Sequence, residues 1–118
     1  MFYVASHDLK EGRILEFQEW SKRNSKKLSA HAPPGWRYRG TYMAVLGFGT
    51  HDVTSVWELT DYADFDKLRT HKDAVWARLV AEEAGFHVQG SGQSVLLRAM
   101  ADTLIKEPTE RQTAGRTK

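Results

Sequence analysis

The chain contains no cysteine. That single absence excludes a disulfide framework, a thiolate metal site and a cysteine nucleophile together. Net charge is also scarce: 17 basic against 15 acidic residues leave +2, too little to point to nucleic acid or an anionic membrane. No window approaches the ~20 apolar residues that a spanning helix needs. The N-terminus enters directly into Phe2-Tyr3-Val4-Ala5, with no basic segment ahead of a long apolar run, so no signal peptide and a cytoplasmic location are expected. What remains is ordinary for a globular protein: 41% hydrophobic and 27% charged residues over 118 positions, the size of one domain.

Aromatics are concentrated. Trp36, Tyr38, Tyr42, Phe48 and Trp57 fall within residues 36–59, which read as one β-hairpin. Its first arm spans about 36–46, its turn 47–52 and its second arm 53–60. Ahead of it, residues 2–7 form a short β-prone run that alternates Phe2, Val4, Ser6 against Tyr3, Ala5, His7. A first helix is expected from about residue 8 or 10 to about 29, with Ile14, Phe17, Trp20 and Leu28 on one stripe. Pro33-Pro34-Gly35 stops it. After the hairpin, Asp61 has the place of an N-cap, with Asp64 and Asp66 in the first turn. Phe65, Leu68, Trp76, Leu79 and Val80 give this second helix its apolar face, and Asp73 is placed to cap a fresh piece after an interruption at residues 70–73. Gly85 closes it, and a last strand covers about 94–100. The domain is expected to occupy 1–105, with a flexible polar tail at 106–118.

The order β-α-β-β-α-β predicts an α+β fold of the ferredoxin-like kind: a four-stranded antiparallel sheet with two helices on one face. Around an even turn, Trp36, Tyr38, Tyr42, Leu46, Trp57 and Leu59 share one hairpin face, and Arg37, Arg39, Met43, Val45, Val56 and Glu58 the other. Neither set reads as a solvated surface. One therefore meets the helices and the other a partner, most economically a second copy in a two-fold dimer.

These residues also resemble a known group. The strand ending in Asp8-Leu9-Lys10-Glu11-Gly12-Arg13, the helix with Phe17 and Trp20, and the helix opening Asp61-Tyr62-Ala63-Asp64-Phe65 with Leu68 and His71 are similar to the dimeric α+β barrel superfamily. The NIPSNAP-like members look nearest, with antibiotic-biosynthesis monooxygenases and EthD-like proteins further away. The resemblance spans about residues 2–100 and rests on layout and loose motifs. It implies a homodimer whose sheets form a central barrel, a pocket between sheet and helices, and activities ranging from cofactor-free oxygenation or isomerisation to haem breakdown or none. The haem-degrading branch carries an asparagine on the first strand; here Ser6-His7 stands instead, which counts against that activity.

His71 matches a histidine that many such proteins carry in the second helix, and histidine exchanges protons near neutral pH. It is the candidate acid or base; the plain alternative is a half-buried histidine bonded to a carbonyl. His7 is expected either in a pocket or at the strand end in solvent. Arg39 offers a planar fork for a carboxylate, or a cross-strand pair with Glu58; Arg98 raises the same choice. Trp57, Tyr42 and Tyr38 either line a flat aromatic site or are core and interface.

Sharper motifs fail. Histidines at 7, 31, 51, 71 and 87 show no metal-ligand spacing. Asp61, Asp64 and Asp66 are too closely set for a calcium loop. The glycine pairs lack a following helix with Lys-Ser/Thr, and no Gly-x-Ser-x-Gly elbow occurs. An RNA-recognition motif shares the element order, but residues 39–45 fall on the wrong strand with the wrong aromatic spacing. The expectation is a cofactor-free homodimer that binds a small apolar or aromatic ligand, as a monooxygenase or isomerase, without nucleic-acid or membrane partners; the alternative is a non-catalytic ligand carrier or interaction protein.

Overall fold

The computed structural model describes residues 1–47 and 50–100; Phe48, the expected boundary at 105 and the tail at 106–118 lie outside the described residues. Strands β1 (Phe2–His7), β2 (Arg37–Met43), β3 (Val53–Glu58) and β4 (Gln93–Leu97) form one antiparallel sheet in the order β2-β3-β1-β4. Helix α1 (Ile14–Ala30) connects β1 to β2. Helix α2 (Tyr62–Asp66), a 3₁₀ turn (Lys67–Thr70) and helix α3 (Ala74–Ala84) connect β3 to β4. This is the ferredoxin-like α+β arrangement, with the second helix in two pieces.

The sheet alternates as its sequence demands. Tyr3 lies opposite Trp57 and Leu96, and Tyr38 opposite Trp57, on the face that meets the helices. Buried Phe17, Trp20 and Leu28 of α1 and Leu79 of α3 close over them. Phe2, Val4, Val56, Val95 and Leu97 share the other face, which no helix among the described residues covers.

Two expectations need correction. Helix α1 begins at Ile14, because the residues before it are used for pairing: Leu9 bridges to His87, and the Lys10 N–H donates to the Phe86 carbonyl at 2.9 Å. More consequentially, β2 carries a bulge between Tyr38 and Gly40, so that Tyr38 faces Trp57 while Gly40 faces Val56. The extra residue, Arg39, inverts the alternation beyond it. Tyr42, expected beside Tyr38 and Trp57, comes to the open face opposite Thr54; Met43, expected opposite it, turns to the helix side with buried Val53. Gly40 has φ +126°, and the Tyr42 ring lies over its α-carbon. Val45 and Leu46 lie beyond the strand and are exposed.

The helical connection hangs on carboxylates. Asp61 caps α2 by accepting from the Asp64 N–H at 3.2 Å, and Asp64 returns the bond to the Asp61 N–H. Asp64 is buried, and accepts also from the Thr60 N–H at 3.2 Å and the Lys67 ammonium at 2.8 Å. That ammonium, with the backbone donors, holds the Asp64 carboxyl below the ordinary carboxylate range. The Trp36 indole donates to the Asp64 carbonyl at 2.6 Å, joining the start of β2 to α2. Gly35 makes the approach feasible: at φ +86°, a β-carbon there would stand 2.6 Å from the Asp64 carboxyl carbon. Gly35→Ala is therefore expected to destabilise the fold by about 1–3 kcal/mol, seen as a lower midpoint in urea unfolding. An unchanged midpoint would mean that this junction is slack.

Candidate functional site

Between sheet and helices lies a cavity of about 180 Å³. Tyr3, Ala5 and His7 of β1 and Ser55 and Trp57 of β3 form its floor; Trp36 and Leu28 close one side, and Leu68, Trp76, Val80 and Glu83 the helical side. Its size suits a single ring with short substituents, since an apolar cavity of ~150 Å³ accepts benzene. The walls are aromatic contacts in edge geometry: Trp57 meets Trp36 at 5.7 Å and Trp76 at 5.6 Å between ring centres.

One ionisable group among these walls stands out chemically. Glu83 is the last of the α3 stripe Trp76, Leu79, Val80, Glu83, so the geometry that buries Leu79 turns its carboxyl inward as well. It has no hydrogen-bond partner or counter-ion among the described residues, and burial alone pushes it up to about 7. It stands within electrostatic reach of Tyr38, whose phenol is raised by burial and further by Glu83. The Tyr38 hydroxyl bonds Thr41 Oγ1, which bonds Ser55 Oγ at 2.9 Å, a chain of three hydroxyls leading to the cavity floor. At the other end His7 stacks on His87, ring centres 3.9 Å apart and planes 7° from parallel. Burial lowers both, and takes His87, with His7 beside it, to about 4.

The candidates named from the sequence separate. His7 and Trp57 line the cavity. His71 does not: it ends the 3₁₀ turn, its Nε2 donates to the His31 carbonyl at 2.7 Å, and its ring stands at 5.8 Å from Trp76, on the wall's far side. Asp73 completes that corner, capping α3 through the Trp76 N–H at 2.9 Å and holding His31 Nδ1 at 2.9 Å. Arg39 and Tyr42 lie on the open face. Arg39 Nε donates to Glu58 at 2.7 Å and Arg37 to the same carboxylate at 3.2 Å; the Arg39 bond in particular holds Glu58 below its ordinary value. Tyr42 donates to the Arg39 carbonyl at 3.0 Å and borders a separate hollow of about 150 Å³ beside α1. Glu83 was missed, although its spacing of i+3 from Val80 and i+7 from Trp76 was there to be read. No cluster of three or more metal-ligating side chains occurs among the described residues, and no helix there is long and apolar enough to cross a membrane.

A NIPSNAP domain protein from Burkholderia xenovorans superposes with a TM-score of 0.68 at 17% identity, over 88% of this chain and 98% of that one. The fold is that of NIPSNAP-like proteins. A NIPSNAP family protein from Agrobacterium tumefaciens gives 0.68 at 12% identity, over 86% and 87% of the two chains. An antibiotic biosynthesis monooxygenase gives 0.59 at 20%, over 85% and 99%. A dimeric ferredoxin-like protein of unknown function from Thermobifida fusca gives 0.60 at 18%, over 80% and 85%. No protein-family model matches the sequence, and no curated protein matches it. The NIPSNAP-like fold thus agrees with the resemblance noted in the sequence.

Titration offers a direct check on the carboxyl. Glu83 sits at about 7 in the folded state against an ordinary 4.5, so the stability tied to its proton is full below pH 4.5 and lost as pH rises through about 7. His87 works in the opposite sense, its stability being present above pH 6.5 and lost as pH falls through about 4. Glu83→Gln removes only the first effect. It is expected to raise stability by about 1–3 kcal/mol at pH 8 while changing it little at pH 4, as read by urea unfolding at both. Equal effects at the two pH values would show that Glu83 is solvated.

Proposed function

We propose that the protein is a homodimer that binds a one-ring organic compound in the cavity between sheet and helices, and that Glu83 is the group that exchanges a proton with it. The observation that carries this reading is a partnerless carboxyl inside an aromatic cavity, held near the pH at which it can both take and return a proton. Trp57 and Trp76 shape the cavity and His7 borders it. His71, with His31 and Asp73, fixes the position of Trp76 and serves as support. Proton removal and return at a bound compound is isomerase chemistry, and it needs one such group. That favours an isomerase over an oxygenase.

Trp57 and Trp76 make the cavity optically readable. One-ring compounds such as indole or benzyl alcohol are expected to quench or shift the tryptophan emission saturably, and Trp76→Ala to weaken that binding at least ~10-fold. A panel of such compounds without any saturable response would overturn the reading.

The second copy is assigned to the open face. Phe2, Tyr42, Val95 and Leu97 are each at least two-fifths exposed there, with Val4 and Val56 between them and the Arg37–Glu58–Arg39 group at one end. Solved neighbours described as dimeric ferredoxin-like proteins support this assembly. Val56→Arg sets a charge at the centre of that face, and is expected to convert a micromolar dimer to a folded monomer in sedimentation. A wild-type monomer, or an unaffected dimer of the variant, would place the partner elsewhere.

A further inference from the structure

The cavity has a definite electrical character. Among the described residues, no lysine or arginine lines it. At its far end His7 on β1, lowered by burial and stacked on His87, stays neutral near pH 7, and Tyr38 on β2, outside the lining but within electrostatic reach of Glu83, is raised by burial. Ser55 on β3 is taken up by Thr41. Leu28 on α1 and Leu68, Trp76 and Val80 add no charge. Glu83 is thus, among the described residues of the lining, the ionisable group whose charged form is an anion near neutrality, and none of the described residues pairs with it. An anionic compound would meet repulsion and no compensating donor fork. A neutral ring would fill the volume and leave the carboxyl unsatisfied. A protonated amine does what neither can: it supplies the missing counter-charge, donates hydrogen bonds to the carboxylate, and lies among tryptophan and tyrosine rings that attract cations over their faces.

We infer that the compound bound in this cavity is a one-ring organic amine, whose protonated nitrogen pairs with Glu83 among Trp57, Trp76, Tyr3 and Trp36. This rests on the proposed function above and sets the charge state of the bound pair near neutrality, an ionised Glu83 carboxylate facing the ligand ammonium. The inference also sets an order of preference, amine over alcohol over carboxylate, for rings of equal size.

The test is calorimetric titration of the full chain with benzylamine, benzyl alcohol and benzoate at pH 6 and pH 8. Benzylamine stays protonated across this range while Glu83, at about 7, goes from mostly neutral to mostly ionised, so its association constant is expected to rise about ten-fold. Benzyl alcohol is expected to bind more weakly and without that pH dependence, and benzoate not at all. In Glu83→Gln, benzylamine binding should fall at least ~10-fold at pH 8 and become independent of pH, while benzyl alcohol binding persists and certifies an intact cavity. Benzyl alcohol entering as tightly as benzylamine, or benzylamine binding unchanged in Glu83→Gln, would overturn the amine assignment alone. Exclusion of both compounds from the wild-type protein would overturn the cavity reading with it.

Discussion

The packing of Trp57 is the constraint from which the rest of this structure follows. Its indole, 5% exposed, stands at the centre of the sheet, with Tyr3 and Tyr38 as cross-strand neighbours and Trp36 and Trp76 edge-on around it. Burying so large a ring on one side of β3 decides which face the helices must cover. With that face committed, Val4, Val56, Val95 and Leu97 point the other way, because neighbours along β1, β3 and β4, whose pairing carries no bulge, alternate once register is fixed. The open apolar face is therefore a consequence of the aromatic layer, not a separate design. The same layer leaves the cavity: rings meeting edge-on do not tile space, and what remains between Trp57, Trp76 and Trp36 is a hollow that Glu83 looks into.

Much of this was legible in the sequence because it depends on local rules. Strand alternation, the Pro33-Pro34-Gly35 stop, and carboxylates at Asp61 and Asp73 ahead of apolar stripes each give a unique local answer, and both caps form as expected. The bulge at Arg39 was not legible. A bulge is a property of two strands together, and Gly40 reads equally well as a plain turn or strand glycine until β3 is placed beside it. One undetected residue moved Tyr42 and Met43 each to the face opposite the expected one, and with Tyr42 went one of the three rings of the aromatic site that even spacing had implied. His71 shows another limit. Helical periodicity puts it beside Leu68, but the 3₁₀ turn ends there in extended backbone, which rotates its ring behind Trp76 toward the His31 carbonyl.

Glu83 failed to stand out for a different reason. Charge is ordinarily read as exposure, and Glu82-Glu83 near a helix end reads as a solvated pair. The two neighbours in fact do opposite things. Glu82 turns outward and accepts from the Trp20 indole at 2.9 Å, a bond between α1 and α3 with one end in water. Glu83, one hundred degrees further round the helix, shares the stripe of Leu79 and Val80 and finds no partner. Two identical side chains in sequence thus meet opposite surroundings by virtue of helical phase alone.

That difference bears on why such a carboxyl persists. A glutamine or leucine at position 83 would continue the α3 stripe without the cost of desolvating an acid, so packing alone gives no reason for glutamate. The surrounding residues do not relieve the cost either. Asp64, also buried, is met by two backbone N–H groups and the Lys67 ammonium, the provision that structural carboxylates ordinarily receive. Glu83 receives none, and the nearby histidines are held neutral instead of being offered as cations. One small domain therefore holds both a buried acid with a full set of donors and a half-buried acid with no partner among the described residues. The first is explained by the capping of α2 that it performs. The second receives no hydrogen bond or counter-ion among the described residues, and the ligand proposed for the cavity would supply one.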